Sequence, residues 1–116
     1  MVSGQELFNE RERIKASLEN SLRRAYDNGI DAAEKTRQYR ILMAQTVLAL
    51  KAEGVQTTII EKLARGDVSV AQAEFEMNAA EVKYKASMEN IMAQKKLFES
   101  VEADIKREYY RGEQNG

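Results

Sequence analysis

The sequence predicts an all-α protein, on three observations. Proline is absent, and the chain is well supplied with Ala, Glu, Lys, Leu, Gln and Met, the residues that favour helix most. No stretch alternates with period two, and the nearest approach to a strand, Val68-Ser69-Val70, runs straight into a helical pattern. Apolar residues recur instead at helical spacing over long distances. Val70, Met77, Tyr84, Ile91, Phe98 and Ile105 return every seventh position, an a-type stripe of the coiled-coil kind. The expected architecture is one helical domain over residues 1–116: a long antiparallel helical hairpin, coiled-coil-like, with a short connecting helix. A three-helix bundle is the alternative.

The first helix is expected over about 5–53. Leu7, Ile14, Leu18, Leu22 and Ala25 are spaced as one face, and residues 41–50 are apolar on most sides. Asp27-Asn28-Gly29 is a turn signal. It either kinks or breaks this helix at 27–30, or sits inside it at a cost of about 1 kcal/mol for the glycine. Gly54 reads as the glycine just past a helix end. Thr58 with Glu61 then suggests a capping box for a short helix over about 58–65, stopped by Gly66. Ser69 with Gln72 suggests another for the last helix, over about 69–110, with Ala73, Ala80, Met88 and Val101 between the stripe residues. Arg111-Gly112 closes that pattern and leaves a polar tail, 112–116.

A helix of that length spans roughly 60 Å. Its far half carries Ile91, Phe98, Val101, Ile105 and Tyr109, which a helix of only 31–53 does not reach. The hairpin is therefore favoured over the bundle. With a turn centred near residues 61–62, facing residues are expected to have numbers adding to about 123. Leu18 then lies near Ile105, Leu22 near Val101 and Ile14 near Tyr109.

Composition removes most chemistry. There are 18 Lys+Arg against 19 Asp+Glu, a net charge of −1, and neither Cys nor His. Without Cys there is no disulfide, thiolate nucleophile or thiolate metal site. Without His the usual general base is missing, as is the partner that helical di-metal carboxylate sites require. The carboxylate clusters Glu74, Glu76, Glu81 and Glu99, Glu102, Asp104 read as solvated faces. The glycines are isolated, so no phosphate-cradling loop occurs, and no serine sits in a nucleophile elbow. No catalytic, cofactor-binding or metal-ligating residue is assigned, no cofactor is expected, and the protein is not expected to be an enzyme. The densest apolar stretch, Ile41 to Leu50, is half the length of about 20 residues that a membrane span needs. The first residues lack the basic segment and apolar core of a secretory signal. A cytoplasmic protein without membrane association is expected. Arg65-Gly66-Asp67 matches an adhesion tripeptide but reads here as a helix stop followed by the next helix start.

What remains is interaction. Arg11, Arg13, Lys106, Arg107, Tyr110 and Arg111 form a basic–aromatic patch in the hairpin, a candidate surface for single-stranded nucleic acid. Glu10, Glu12 and Glu108 dilute it, and the balanced net charge argues against a strong drive to nucleic acid. Phe75 and Val82 fall off the main stripe and mark a second apolar face. The last helix carries its charge in bands: negative over 70–81, positive over 83–96 with Lys95 and Lys96, negative over 97–104, positive over 106–111. Such bands can set the register of a partner helix. Phe75, Val82, Lys95 and Lys96 are the candidate partner or dimer surface, and a homodimer is expected, with two copies of the last helix antiparallel.

The order of several short pieces resembles small proteins encoded in the early regions of temperate phages and prophages of Gram-positive bacteria. The pieces are Ala33-Glu34 with Gln38-Tyr39-Arg40, Leu50-Lys51-Ala52-Glu53-Gly54, Arg65-Gly66-Asp67 with Val70-Ala71, Ala80-Glu81 with Tyr84, and Ile105-Lys106-Arg107-Glu108-Tyr109. The resemblance covers roughly residues 24–110 and transfers no functional residue. It implies a role beside phage or host proteins of DNA recombination or defence, for example as an inhibitor of a host nuclease. The function expected is thus a protein–protein interaction module. The alternative is an accessory protein that binds single-stranded nucleic acid.

Overall fold

A computed structural model describes residues 3–115. All of its regular structure is helical, in the order α1 (Gly4–Ala52), α2 (Thr57–Gly66) and α3 (Val68–Asn115). The chain divides into two compact units, Met1–Ala25 with Ala86–Gly116, and Tyr26–Lys85. In each of them α1 and α3 run antiparallel, so the helical hairpin is the architecture found.

The helix ends follow local chemistry. Ser3 and Glu6 form a reciprocal capping box at the start of α1: the Glu6 N–H donates to Ser3 Oγ at 3.1 Å and the Ser3 N–H to Glu6 Oε2 at 3.2 Å. Gly54, at φ 84°, ends α1 as expected. The Val55 N–H reaches back to the Leu50 carbonyl and the Gly54 N–H to that of Lys51, the Schellman pattern that needs a left-handed residue. The capping boxes expected at Thr58 and Ser69 do not form. Helix α2 starts one residue earlier, after Gln56, which gives no side-chain cap. Helix α3 is capped by Asp67, whose Oδ1 accepts the N–H groups of Ser69 at 2.9 Å and Val70 at 3.2 Å.

Asp27-Asn28-Gly29 does not interrupt α1, which removes the reversal that a three-helix bundle requires. The ring of Tyr84 explains the glycine. A Cβ built on Gly29 would stand 3.1 Å from Tyr84 Cε1 and 3.4 Å from Cδ1, so Gly29 is the hollow into which a large α3 side chain packs. At the other end the expected polar tail is also helix. Gly112 does not stop α3, which continues through Asn115; Gly116 lies outside the described residues.

The expected pairing is corrected by about ten residues. In the unit of Tyr26–Lys85, Gly29 meets Tyr84 and Tyr39 meets Glu74, pairs that add up to 113. In the other unit Ser17 meets Gln94 and Ser21 meets Asn90, adding up to 111, and Arg11 meets Glu102, adding up to 113. Leu18, Leu22 and Ile14 therefore do not face Ile105, Val101 and Tyr109. The cause is α2. A turn centred at 61–62 treats the connector as a cap over the tip, with α1 and α3 ending level. The observed pairing sets the start of α3 opposite residue 45, so α2 runs back along the level of the last turns of α1. Ile60 and Ala64 are buried there, and burying a side chain such as Ile60 stabilises by about 1.5–3 kcal/mol.

The seam itself is small and polar. Of the heptad stripe, Val70 is fully buried and Ile91 nearly so, and the positions three residues on are Ala73, Ala80, Ser87, Gln94, Val101 and Glu108. Helix α1 supplies Ala25, Ala32 and the buried Ser21. Met88 and Leu22, expected on the seam, lie outside it at 40% and 48% exposure.

Candidate functional site

The candidate partner surface is exposed. Phe75 and Val82 each show 67% of their surface to solvent, and Lys95 and Lys96 are exposed on α3. Lys95 and Lys96 belong to the other compact unit. Phe75 borders a shallow cleft shared with Asp31, Lys35, Glu76, Ala79 and Lys83.

Around these two residues the structure reveals an exposed stripe on each long helix, of which the sequence pattern marks only Phe75 and Val82. On α3, Val68, Ala71, Phe75, Ala79 and Val82 are exposed at steps of three and four, on the side turned away from Val70, Met77 and Tyr84. On α1, Tyr26, Ile30, Ala33, Ile41, Ala44 and Leu48 do the same, interrupted by Arg37, which pairs with Glu34. Tyr26 and Ile30 had no place in a scheme that assigned one face per helix, and residues 41–50 gave no direction because they are apolar on most sides. The signal was present in the sequence as a second series at helical spacing.

The nucleic-acid patch is drawn together with carboxylates. Arg11 lies over the Phe98 ring, 5.9 Å from its centroid, with Nε 2.9 Å from Glu102 Oε1. The two groups sit at ion-pair distance without the alignment of a hydrogen bond. Arg13 pairs with Glu10, Arg107 with Asp104 and Arg111 with Glu108, each one helical turn away. Tyr110 stacks edge-on against Tyr109 at 6.0 Å. Every arginine of the patch therefore has a carboxylate beside it, which weakens the field a phosphate chain would meet. Lys106 borders an open, largely apolar hollow with Ile105, Tyr109 and Tyr110.

Most members of the carboxylate clusters have partners: Glu74, Glu76, Glu102 and Asp104. Glu74 accepts the Tyr39 hydroxyl at 2.9 Å and pairs with Arg65 at 3.3 Å. These contacts, the Tyr39 hydrogen bond first, hold its carboxyl below the ordinary 4.5, and the same hydrogen bond with burial pushes Tyr39 above its ordinary 10.0. Glu76 bonds Gln72, and Glu34 is lowered by its hydrogen bonds to Arg37. Arg65 and Asp67 of the adhesion-like tripeptide are thus an ion-pair partner and a helix cap. Among the described residues no group of three acidic, His or Cys side chains is arranged to hold a metal ion. No described helix is long and apolar enough to cross a membrane.

The site that sequence reasoning missed is a polar ladder along the edge of the seam, with only Ser21 buried. Asn90 Nδ2 donates to the buried Ser21 Oγ at 3.0 Å, and Gln94 Nε2 to Ser17 Oγ at 3.1 Å. Polar pairs placed along a helix seam fix register more than they add stability. The chain matches no family model, no curated protein and no solved structure.

Proposed function

We propose that the chain is a non-enzymatic docking module that presents apolar helix faces to another protein. One observation carries this. In the unit of Tyr26–Lys85 the buried large apolar residues are Ile60 and Val70, while Tyr26, Ile30, Ile41, Leu48, Val68, Phe75 and Val82 are exposed at 45% or more. A fold that buries alanines and exposes aromatic and branched side chains is incomplete by itself, because contiguous exposed apolar surface is the mark of an interface. The resemblance to phage early-region proteins directs the search for that partner to phage and host proteins of DNA recombination and defence. Self-association belongs to the same reading.

The test is affinity capture from the natural host with the wild-type chain and with Phe75→Lys plus Val82→Lys. A partner held by the first and lost by the second supports the reading. A partner held equally by both moves docking off this face. Binding instead to single-stranded DNA, falling steeply with salt and lost in Arg107→Glu plus Arg111→Glu, would favour the basic–aromatic patch.

A further inference from the structure

We infer that the two exposed stripes of the Tyr26–Lys85 unit are complementary halves of one interface, the α1 stripe of one copy docking on the α3 stripe of another. The inference rests on the docking-module reading and names the occupant as a second copy of this chain.

Charge identifies it. Residues 35–51 of α1 carry Lys35, Arg37, Arg40 and Lys51 and no acid, a charge of +4. Residues 68–82 of α3 carry Glu74, Glu76 and Glu81 and no base, a charge of −3, of which Glu74 is already paired with Arg65. A contact of α3 with α3 would set acid on acid across this stretch, and a contact of α1 with α1 would set base on base. Only α1 against α3 brings opposite signs together, and like charges across an interface are strongly disfavoured.

Spacing agrees with charge. Read backwards, the α1 stripe is Leu48, Ala44, Ile41, Arg37, Ala33 and Ile30; read forwards, the α3 stripe is Val68, Ala71, Phe75, Ala79 and Val82. Laid antiparallel with numbers adding to 116, Leu48 meets Val68, Ile41 meets Phe75 and Arg37 meets Ala79. The same offset sets Arg40 opposite Glu76 and Asp31 opposite Lys85. None of these side chains is spent on the seam within the chain: Ile41, Leu48, Val68 and Phe75 are 45–84% exposed. The apolar steps and the charges thus agree in this register.

The contact joins two different patches, so it is heterologous. Such contacts close into rings or grow openly rather than stopping at an isologous pair. This replaces the antiparallel pairing of two last helices, which leaves the α1 stripe unused.

The decisive experiment mixes two crippled chains. Ile41→Asp removes the α1 face and Phe75→Asp the α3 face, both at exposed positions, with helix content checked by circular dichroism. Sedimentation equilibrium of the wild type is expected to show association at micromolar concentration, and each variant alone to weaken it by at least about tenfold. Mixed, the variants are expected to form a capped one-to-one pair, since each supplies the face the other lacks. A wild type that stays at 13.2 kDa throughout overturns the inference, while leaving capture of another protein as the test of the docking reading. Association undiminished in either variant, or no pairing on mixing, overturns the α1-to-α3 assignment. Should a variant lose helix, the charges decide: Arg40→Glu and Glu76→Arg each weaken association, and both in one chain restore it. Failure to restore overturns the register.

Discussion

Gly29 shows how one residue carries information that its type alone conceals. In a helix interior glycine costs about 1 kcal/mol relative to alanine, and beside Asp27-Asn28 it reads as a break. The structure assigns that cost to a packing need, since the Tyr84 ring lies where a Cβ would press at 3.1 Å. Gly29→Ala is therefore expected to change stability little, the gain in helix propensity being offset by displacement of the ring. In a Tyr84→Ala background the same substitution should stabilise by about 1 kcal/mol. Urea unfolding of the four chains measures this coupling, and simple additivity would refute the packing account. Tyr39 and Glu74 form the other informative contact. Glu74 is lowered in the folded chain, so its contribution is present above its unfolded value and lost as pH falls through its folded pKa, below the ordinary 4.5. Tyr39 is raised, so its contribution is present below 10.0 and lost as pH rises through its folded pKa. Glu74→Gln should flatten the acid limb of the stability curve and let Tyr39 ionise earlier. Ultraviolet titration of the tyrosines reads the second effect directly.

The elements were legible because their signals are redundant. The period-seven stripe, the absence of proline and the glycine after Leu50-Lys51-Ala52-Glu53 each pointed to long helices, and α1, α2 and α3 stand within a few residues of expectation, α3 excepted at its far end. The caps were less legible, because a capping motif is only a pairing of residue types that several overlapping positions satisfy. Ser69 with Gln72 and Thr58 with Glu61 had the right spacing, yet Asp67 reaches the free N–H groups of α3 first. Ser3-Gly4-Gln5-Glu6, with the same spacing, is where the box forms. Asp67→Ala is expected to cost about 0.5–2 kcal/mol, whereas Ser69→Ala and Thr58→Ala should stay near wild type. Thermal unfolding followed by circular dichroism separates them, and a Ser69 effect as large as that of Asp67 would reassign the cap. The α1 stripe was illegible for a related reason. A heptad stripe dominates any periodicity count: Phe75 and Val82 stand out in the sequence as residues off the main stripe, but Tyr26 and Ile30 become a face only once the seam is known.

At the scale of the whole molecule the decisive quantity is register, and no local motif encodes it. It depends on how α2 folds back, which shifts every facing pair by about ten residues from what a symmetric connector implies. The seam then reads as chemistry: Ser21 meets Asn90 and Ser17 meets Gln94 in the observed alignment, and of these the buried Ser21 depends on it. A slide of one helical turn would leave the buried Ser21 without Asn90, and an unpaired buried polar group costs about 1–3 kcal/mol. A seam built of Ala25, Ala32 and Ala80 has little bulk of its own to resist such a slide. Because the chain has no cysteine, paired cysteine substitutions report the alignment without background. Ser17→Cys with Gln94→Cys in one unit, and Tyr39→Cys with Glu74→Cys in the other, should be joined by a short thiol crosslinker. Leu18→Cys with Ile105→Cys should not, since Ile105 lies about eleven residues past the position facing Leu18, some ~16 Å along the helix. The readout is the shifted band of the internally linked chain on a denaturing gel. Linkage at Leu18 and Ile105, with none at Ser17 and Gln94, would restore the symmetric connector and take the polar ladder with it.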